Sequence, residues 1–448
     1  MIKVGFVSLG CSKNQCDTEV MLHTLEEKGC EIVAEDIDAD VIIINTCAFI
    51  ESAKKEAIDN ILDVAWLKKH RKLRGIVVCG CLAERYREEI FTEMPEVDAL
   101  IGVGSLAHIY DAVKSAYEKK RYSSFEDKNL CPLGGERILT TPAFSSYLKI
   151  AEGCDNRCTY CAIPNIRGIF RSRPIESLVE EAKRLEASGC KELNIIAQDT
   201  TRYGLDLYGE YSLARLVREI CAATEIPWIR LLYCYPDKIT DELIDEMRSN
   251  KRLLHYMDLP IQHINDDLLR RMNRHGGAEL IKENIKKLKD AVDDIVVRTT
   301  VIVGFPGESD EQFDELCGYI KREKFERLGA FTYSAEEGTP AAEFDGQIDE
   351  QVKQDRYDII MKEQFEVTDA YNKSRVGKSY DMLVEGYDPV SEAYYGRSYA
   401  DAPDVDGKIY VRAAAGTCEI GNFVNVTVTD VLDYDLVAEI NPKPAVLA

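Results

Sequence analysis

No apolar run in this sequence approaches the ~18 residues of a membrane-spanning helix. The opening Met-Ile-Lys-Val-Gly-Phe-Val-Ser reads as a first strand, not as a signal peptide. Basic charge is scarce: 56 Lys and Arg stand against 79 Asp and Glu, a net of -23. Such a balance opposes non-specific nucleic-acid binding and favours a basic partner. These absences point to a cytoplasmic protein with no membrane association. Cysteine, by contrast, is plentiful, with 15 residues. In a cytosolic chain these are metal ligands, redox thiols or buried small hydrophobes before they are disulfides.

A chain of 448 residues is too long for one core and implies two or three domains. Residues 1–118 alternate short apolar runs (Lys3–Val7, Val41–Ile44, Ile76–Cys79, Ala99–Ile101) with amphipathic stretches, the pattern of a doubly wound parallel-sheet domain. Residues 119–143, with Pro132, Gly134-Gly135 and Pro142, read as a linker. Six strand candidates then recur from Tyr147–Ile150 to Gly329–Tyr333, and a charged helical stretch near 348–373 closes the region. Residues 144–372 therefore form an α/β core, a partial or complete barrel. Residues 373–440 are short β-branched and aromatic segments separated by Gly, Pro and Asp, read as a small antiparallel β-barrel, and 441–448 form a tail. Nothing in the pattern requires more than a monomer.

The densest cysteine pattern is Glu-Gly-Cys154-Asp-Asn-Arg-Cys158-Thr-Tyr160-Cys161, spaced C-x3-C-x2-C directly after the first strand of the middle region. That is a βα loop at the carboxyl end of the strands, where α/β barrels place their chemistry. Three thiolates there can hold three irons of a 4Fe-4S cluster and leave the fourth open to a ligand. The competing readings are a zinc knuckle with a distant fourth ligand, or chance. No Cys-x2-Cys or His pair at zinc-finger spacing follows downstream.

A second pattern lies in the N-terminal region. Cys11, Cys47 and Cys81 each end a strand, in "SLGCSKN", "INTCAF" and "CGCLAE", about one βα unit apart. They would converge at the carboxyl edge of one sheet, where doubly wound folds bind ligands. The alternative is that each is a buried small hydrophobe. That reading suits Cys79 and Cys30 better, while Cys16 is a competitor placed on the following helix.

The loop "YLKIAEGCDNRCTYCAIPNIRG" resembles the radical S-adenosylmethionine superfamily. With "SLGCSKN", "NTCAFI" and "GCLAERY", nearly the whole chain resembles the methylthiotransferases of that superfamily, and the terminal β module resembles the TRAM domain. The resemblance implies two 4Fe-4S clusters, one on Cys154, Cys158 and Cys161 and an auxiliary one on Cys11, Cys47 and Cys81. It further implies S-adenosyl-L-methionine, a reducing electron donor, a sulfur donor and replacement of C–H by C–SCH3. Tyr160, Gln198, Gly304 and Gly307 are the positions matching cofactor contacts. For Gly304–Glu308 a plain strand-to-helix turn capped by Ser309 is the alternative, and for Gln198-Asp199 simple loop polarity.

Two branches of this family act on different substrates, an adenosine of transfer RNA or the β-carbon of an aspartate in protein twelve of the small ribosomal subunit. The wording "GFVSLGCSKN" and "INTCAFIESAKKE" resembles the ribosomal-protein branch, although Ser12-Lys13 stands where Pro-Lys is usual. Residues 373–440 carry 6 Lys and Arg against 12 Asp and Glu. An RNA-serving module should be basic, whereas an acidic one suits a basic ribosomal protein. Arg167, Arg171 and Arg173 crowd the loop after the cysteines and could take a carboxylate, a phosphate or acidic neighbours. A non-catalytic iron–sulfur or zinc RNA-binding protein is the reading from another class.

Overall fold

The computed structural model describes residues 1–34 and 38–442, so the end of the 441–448 tail lies outside the described residues. The first sheet contains β1 (Lys3–Ser8), β2 (Glu31–Ile32), β3 (Val41–Thr46), β4 (Gly75–Gly80), β5 (Ala99–Ile101) and β6 (Tyr122–Ser124). All pairs are parallel, in the order β2-β1-β3-β4-β5-β6. Helices cover both faces, which is why β3 and β4 read as unbroken apolar runs. Val41, Ile43, Val77 and Cys79 pack with residues of the helices Ser12–Glu27 and Ile109–Tyr117. Ile42, Ile44, Ile76 and Val78 pack with residues of Glu51–His70 and Cys81–Tyr86 on the other face. The strand order reverses between β1 and β3, the switch point where such sheets take ligands.

The stretch read as a linker needs correction at its start. Tyr122–Ser124 is β6, paired in register with β5. Three residues are too few to display a period, so composition concealed it. The rest is laid down firmly: Glu19 accepts from the backbone N–H and hydroxyl of Thr140 at 2.8 and 3.0 Å.

The second sheet runs β7 (Ser145–Lys149), β10 (Glu192–Ile196), β11 (Trp228–Leu231), β12 (Leu253–Asp258), β13 (Val296–Val303) and β14 (Arg327–Thr332), parallel and in sequential order. It stays open, so the barrel is partial. A short ribbon, β8 (Ala151–Glu152) with β9 (Arg171–Ser172), follows β7. One face of the sheet carries the largest apolar cluster, packed on its own helices. The other face is closed by neighbours: Tyr147, Ile196, Leu232, Leu254, Tyr256 and Val296 pack with Cys16 from the first helix and with Ala400 and Ala402 from the third module.

After the helix Glu350–Arg375, strands β15 (Ser379–Asp388), β16 (Ala393–Arg397), β17 (Ile409–Arg412), β18 (Phe423–Leu432) and β19 (Asp435–Ile440) close into a barrel, ordered β15-β16-β17-β19-β18. The expected all-antiparallel barrel is corrected at one pair: β17 and β19 are parallel. A closed ring of five strands cannot alternate direction all the way round. Among the described residues no helix is long and apolar enough to cross a membrane.

Buried ion pairs seat this barrel on the core. Arg397 donates to both carboxylate oxygens of Glu192 at 3.0 and 2.5 Å, and Arg230 donates to the same group at 2.9 Å. Arg327 and Arg375 converge on Asp401 at 2.6 and 3.3 Å. Burial opposes ionisation of Glu192, but Arg397 and Arg230 outweigh it and hold its pKa down at about 2. A folded pKa below the unfolded one gives stability that is present above the ordinary carboxylate pKa and lost as pH falls toward 2. Glu192→Gln should therefore lose stability at pH 7 and much less near pH 2. Glu192→Ala, which strands two buried guanidinium groups, should cost about 3–5 kcal/mol at pH 7. Denaturant melts at both pH values test this, and an equal deficit at both would contradict it.

Candidate active site

Cys154, Cys158 and Cys161 line one cavity of about 460 Å³, together with Lys128, Arg157 and Gly338. The loop that carries them is fixed from below. Asn156, buried, donates to Asp199 at 2.7 Å and accepts from Lys238 at 2.9 Å, while Lys238 pairs with Asp199 at 3.1 Å. Asn273 donates to the carbonyls of Asn156 and Arg157. Cys158 shares a 3.0 Å hydrogen bond with the Tyr235 hydroxyl. Burial pushes the Cys154 thiol up to about 11 and raises Cys161 as well, each reinforced by Cys158. Ligation by these thiols is accordingly coupled to proton release.

The second set assembles at the switch point of the first sheet. Cys11 follows β1, Cys47 follows β3, and Cys81 opens the helix after β4. Close approach is secured by two glycines in the left-handed region. A Cβ on Gly10 (φ +89°) would meet the Cys47 Cβ at 2.8 Å, and one on Gly80 (φ +87°) would meet the Thr46 carbonyl at 2.7 Å. The three thiols feel one another: burial first, then Cys47 and Cys11, push Cys81 up to about 12, against the pull of Arg167. Cys11 is an exposed residue, and the desolvation its thiol still feels is outweighed by Lys13, Arg167 and the backbone N–H groups of Asn14 and Lys13, so its pKa is lowered. Cys16 belongs elsewhere, taking a 3.2 Å bond from Arg137 and packing on Tyr147. Cys79 and Cys30 lie in the apolar core.

A buried charge network joins the two sheets beside Cys81. Arg167, the last residue of the short helix Ile163–Arg167, donates to Asp17 at 2.8 Å and to Glu152 at 3.0 Å. Its other nitrogen reaches Asn14 at 3.0 Å and the Cys81 sulfur at 3.7 Å. Lys149, ending β7, pairs with Asp17 and, at 2.8 Å, with Glu152. Two cations meet two anions, so the patch is neutral. The three arginines after the cysteine loop are thus engaged inside the protein. Arg173 pairs with Glu181 at 2.5 Å, and Arg171 donates to the carbonyls of Cys131 and Lys128. Neutralisation of acidic neighbours is the outcome for Arg167 and Arg173. Sequence position alone showed their crowding but not their partners; Asp17 lies 150 positions before Arg167.

Gln198 sits beside this network, donating to Glu152 at 2.9 Å, and its amide Oε1 is buried with no partner. Tyr160 packs toward Phe305, Tyr333 and Ala341, and burial raises its phenol well above the ordinary value. Gly304 and Gly307 lie at the carboxyl end of β13, packed under Lys353 and Arg271. They are not among the residues lining the cysteine cavity. Ser309 does form a capping box with Gln312, as the turn reading expected.

The thiols suit a cluster better than a single ion. Among the described residues no three His, Cys, Asp or Glu converge closely enough to hold one metal ion, whereas three thiols around one cavity can each bind a different iron. The unpartnered Gln198 oxygen is a ready acceptor for an amino group of a bound ligand.

Residues 148–320 match the Radical SAM superfamily, residues 3–102 match Uncharacterized protein family UPF0004, and residues 376–440 match the TRAM domain. Fold and thiol loop together define a radical S-adenosylmethionine enzyme, a class that carries a 4Fe-4S cluster and S-adenosylmethionine. The chain is 46% identical over 440 residues to the ribosomal protein uS12 methylthiotransferase RimO of Thermoanaerobacter sp. (strain X514), covering 98% of this chain and 100% of that one. It is 48% identical over 440 residues to the same-named protein of Caldanaerobacter subterraneus subsp. tengcongensis, with 98% and 100% covered. The chain belongs to the RimO family of methylthiotransferases. Among solved structures, the radical S-adenosylmethionine methyltransferase TsrM from Kitasatospora setae aligns with a TM-score of 0.56 at 14% identity, over 83% of this chain and 90% of that chain, a likeness of fold.

Removing Arg167 would leave Asp17 and Glu152 buried with one cation between them. Arg167→Met should lower stability by about 3–5 kcal/mol. Arg167→Lys, which keeps charge but loses the fork to Asn14 and Cys81, should recover only part of it. Urea unfolding measures both; a Met variant within about 1 kcal/mol of wild type, on the order of a surface change, would contradict the network's role.

Proposed function

We propose that this chain methylthiolates the β-carbon of an aspartate in ribosomal protein uS12. The observation that carries the reading is that the chain has two sets of three thiols, each at the carboxyl edge of a parallel sheet, with Arg167 touching Cys81 of one set and the carbonyl of the next residue, Gly168, accepting from the Cys154 N–H of the other. Cys154, Cys158 and Cys161 would hold the cluster that works with S-adenosylmethionine, and Cys11, Cys47 and Cys81 an auxiliary cluster. Bound there, the first supplies one-electron chemistry able to take hydrogen from an unactivated carbon, and the second offers a place for the sulfur.

The protein's own groups position these parts. The Asn156–Asp199–Lys238 triad holds the cysteine loop, and Gln198 offers its free Oε1 to the amino end of the cofactor. Tyr160, Gly304 and Gly307 would shape the remainder of that cofactor's site. A β-CH2 beside a carboxylate is too weakly acidic for ordinary base catalysis at neutral pH, which is why hydrogen abstraction suits it. The third module supports a basic protein as substrate. Of its charged side chains those of Arg375, Arg397, Asp401 and Asp406 are buried, leaving four basic and ten acidic residues outside the core. Such a surplus of acidic charge favours a basic ribosomal protein over RNA phosphate. An electron donor and a sulfur donor complete the reaction, in the cytoplasm and with the enzyme as a monomer.

Anaerobic reconstitution should give about eight irons per chain, two cubanes' worth. Cys154→Ala should abolish reductive cleavage of S-adenosylmethionine, while Cys47→Ala should keep cleavage and lose sulfur insertion. In a strain lacking the enzyme, intact uS12 should lose the methylthio mass increment with transfer RNA unchanged. Unaltered uS12 with a missing adenosine modification would overturn the substrate.

A further inference from the structure

Lys13 is a cation without a carboxylate partner. It stands in the first turn of the helix Ser12–Glu27 and is only 6% exposed. Its ammonium lies 3.1 Å from the centroid of the Tyr233 ring. Among the described residues it makes no ion pair, and its ammonium has no hydrogen-bond acceptor. The acids nearby are already committed: Asp17 to Lys149 and Arg167, Glu19 to Arg137, and Asp258 to Arg298 and the Tyr233 N–H. With no carboxylate to pair with, the ammonium has only the Tyr233 face and the Cys11 thiol to offset it, and it remains able to take a further negative charge.

Its location says where that charge comes from. Lys13 follows Cys11 by two residues, while Tyr233 lies just beyond β11, at the carboxyl edge of the core sheet. Ser12 and Tyr233 hydroxyls approach to 3.4 Å across the same seam. Tyr233 is held with φ +60°, unusual for a bulky residue, by its N–H to Asp258 at 2.9 Å and by its carbonyl, which accepts from the Thr200 N–H at 2.9 Å. The ring is thereby fixed beneath the ammonium, where the two thiol-bearing sheet edges meet.

We propose that Lys13, on its Tyr233 platform, is the anchor for the side-chain carboxylate of the residue being modified. This rests on the function proposed above. A carboxylate fixed here would present its neighbouring β-carbon between the two thiol sets, and the lysine would select aspartate over its amide.

The test uses the reconstituted enzyme and uS12 peptides carrying Asp or Asn at the target position, with binding followed by fluorescence anisotropy. Wild type should bind the Asp peptide about tenfold tighter than the Asn peptide. Lys13→Met should bind both as weakly as wild type binds Asn, compared at matched iron loading and with S-adenosylmethionine affinity unchanged. Lys13→Arg should restore part of the preference. Retention of the preference in Lys13→Met overturns the proposal. So does a loss confined to S-adenosylmethionine affinity, which would assign Lys13 to the cofactor's carboxylate. A changed electron paramagnetic resonance signal of the auxiliary cluster with unchanged peptide binding overturns it too. Wild type that binds Asp and Asn peptides equally removes the role of Lys13 alone, whereas wild type that binds neither overturns the function as well.

Discussion

Four buried charges, Asp17, Lys149, Glu152 and Arg167, are the joint on which the rest of the molecule turns. Asp17 comes from the first sheet's leading helix, and the other three come from the first strand and loop of the second sheet. Neither sheet could bury its share alone, because each would carry an uncompensated charge into a region of low dielectric. Docked, they neutralise each other, and the geometry of a forked guanidinium admits few alternative registers. The same Arg167 touches the Cys81 sulfur and ends the short helix that follows Cys161. One side chain therefore sets how the two thiol-bearing edges stand to one another.

The third module repeats the device at the opposite end of the strands. Glu192 opens β10 and Arg327 opens β14, and each is met by a buried partner from the barrel. Ala400 and Ala402 fill the face of the sheet between them. The core sheet is open, yet the first helix and this loop together close its second face. An isolated core would leave that face wet, so the three modules depend on each other for stability as well as for function.

Much of this was legible in the sequence, and the limits have physical causes. Parallel strands such as β3 and β4 announce themselves because burial on both faces demands largely continuous apolar residues. β2 and β6 are edge strands of two and three residues and carry no such signal. The two cysteine groups stand out in the sequence because Cys11, Cys47 and Cys81 follow strands at one βα interval and Cys154, Cys158 and Cys161 share one loop, so spacing maps onto position. The partners of Arg167 and Arg173 were not, since an ion pair leaves no periodic trace in the chain. The same holds for Lys13, whose isolation is visible only once every neighbouring carboxylate has been assigned. The parallel pair β17–β19 follows from counting strands around a ring, and the number of strands had first to be known.

The proposal that both thiol sets serve a single substrate is tested most directly by electron paramagnetic resonance of the fully reduced, reconstituted protein. On the proposed function each set carries a cluster and the two lie near enough to interact, so the wild-type spectrum should differ from the sum of the spectra of Cys47→Ala and Cys154→Ala. A wild-type spectrum equal to that sum would contradict it.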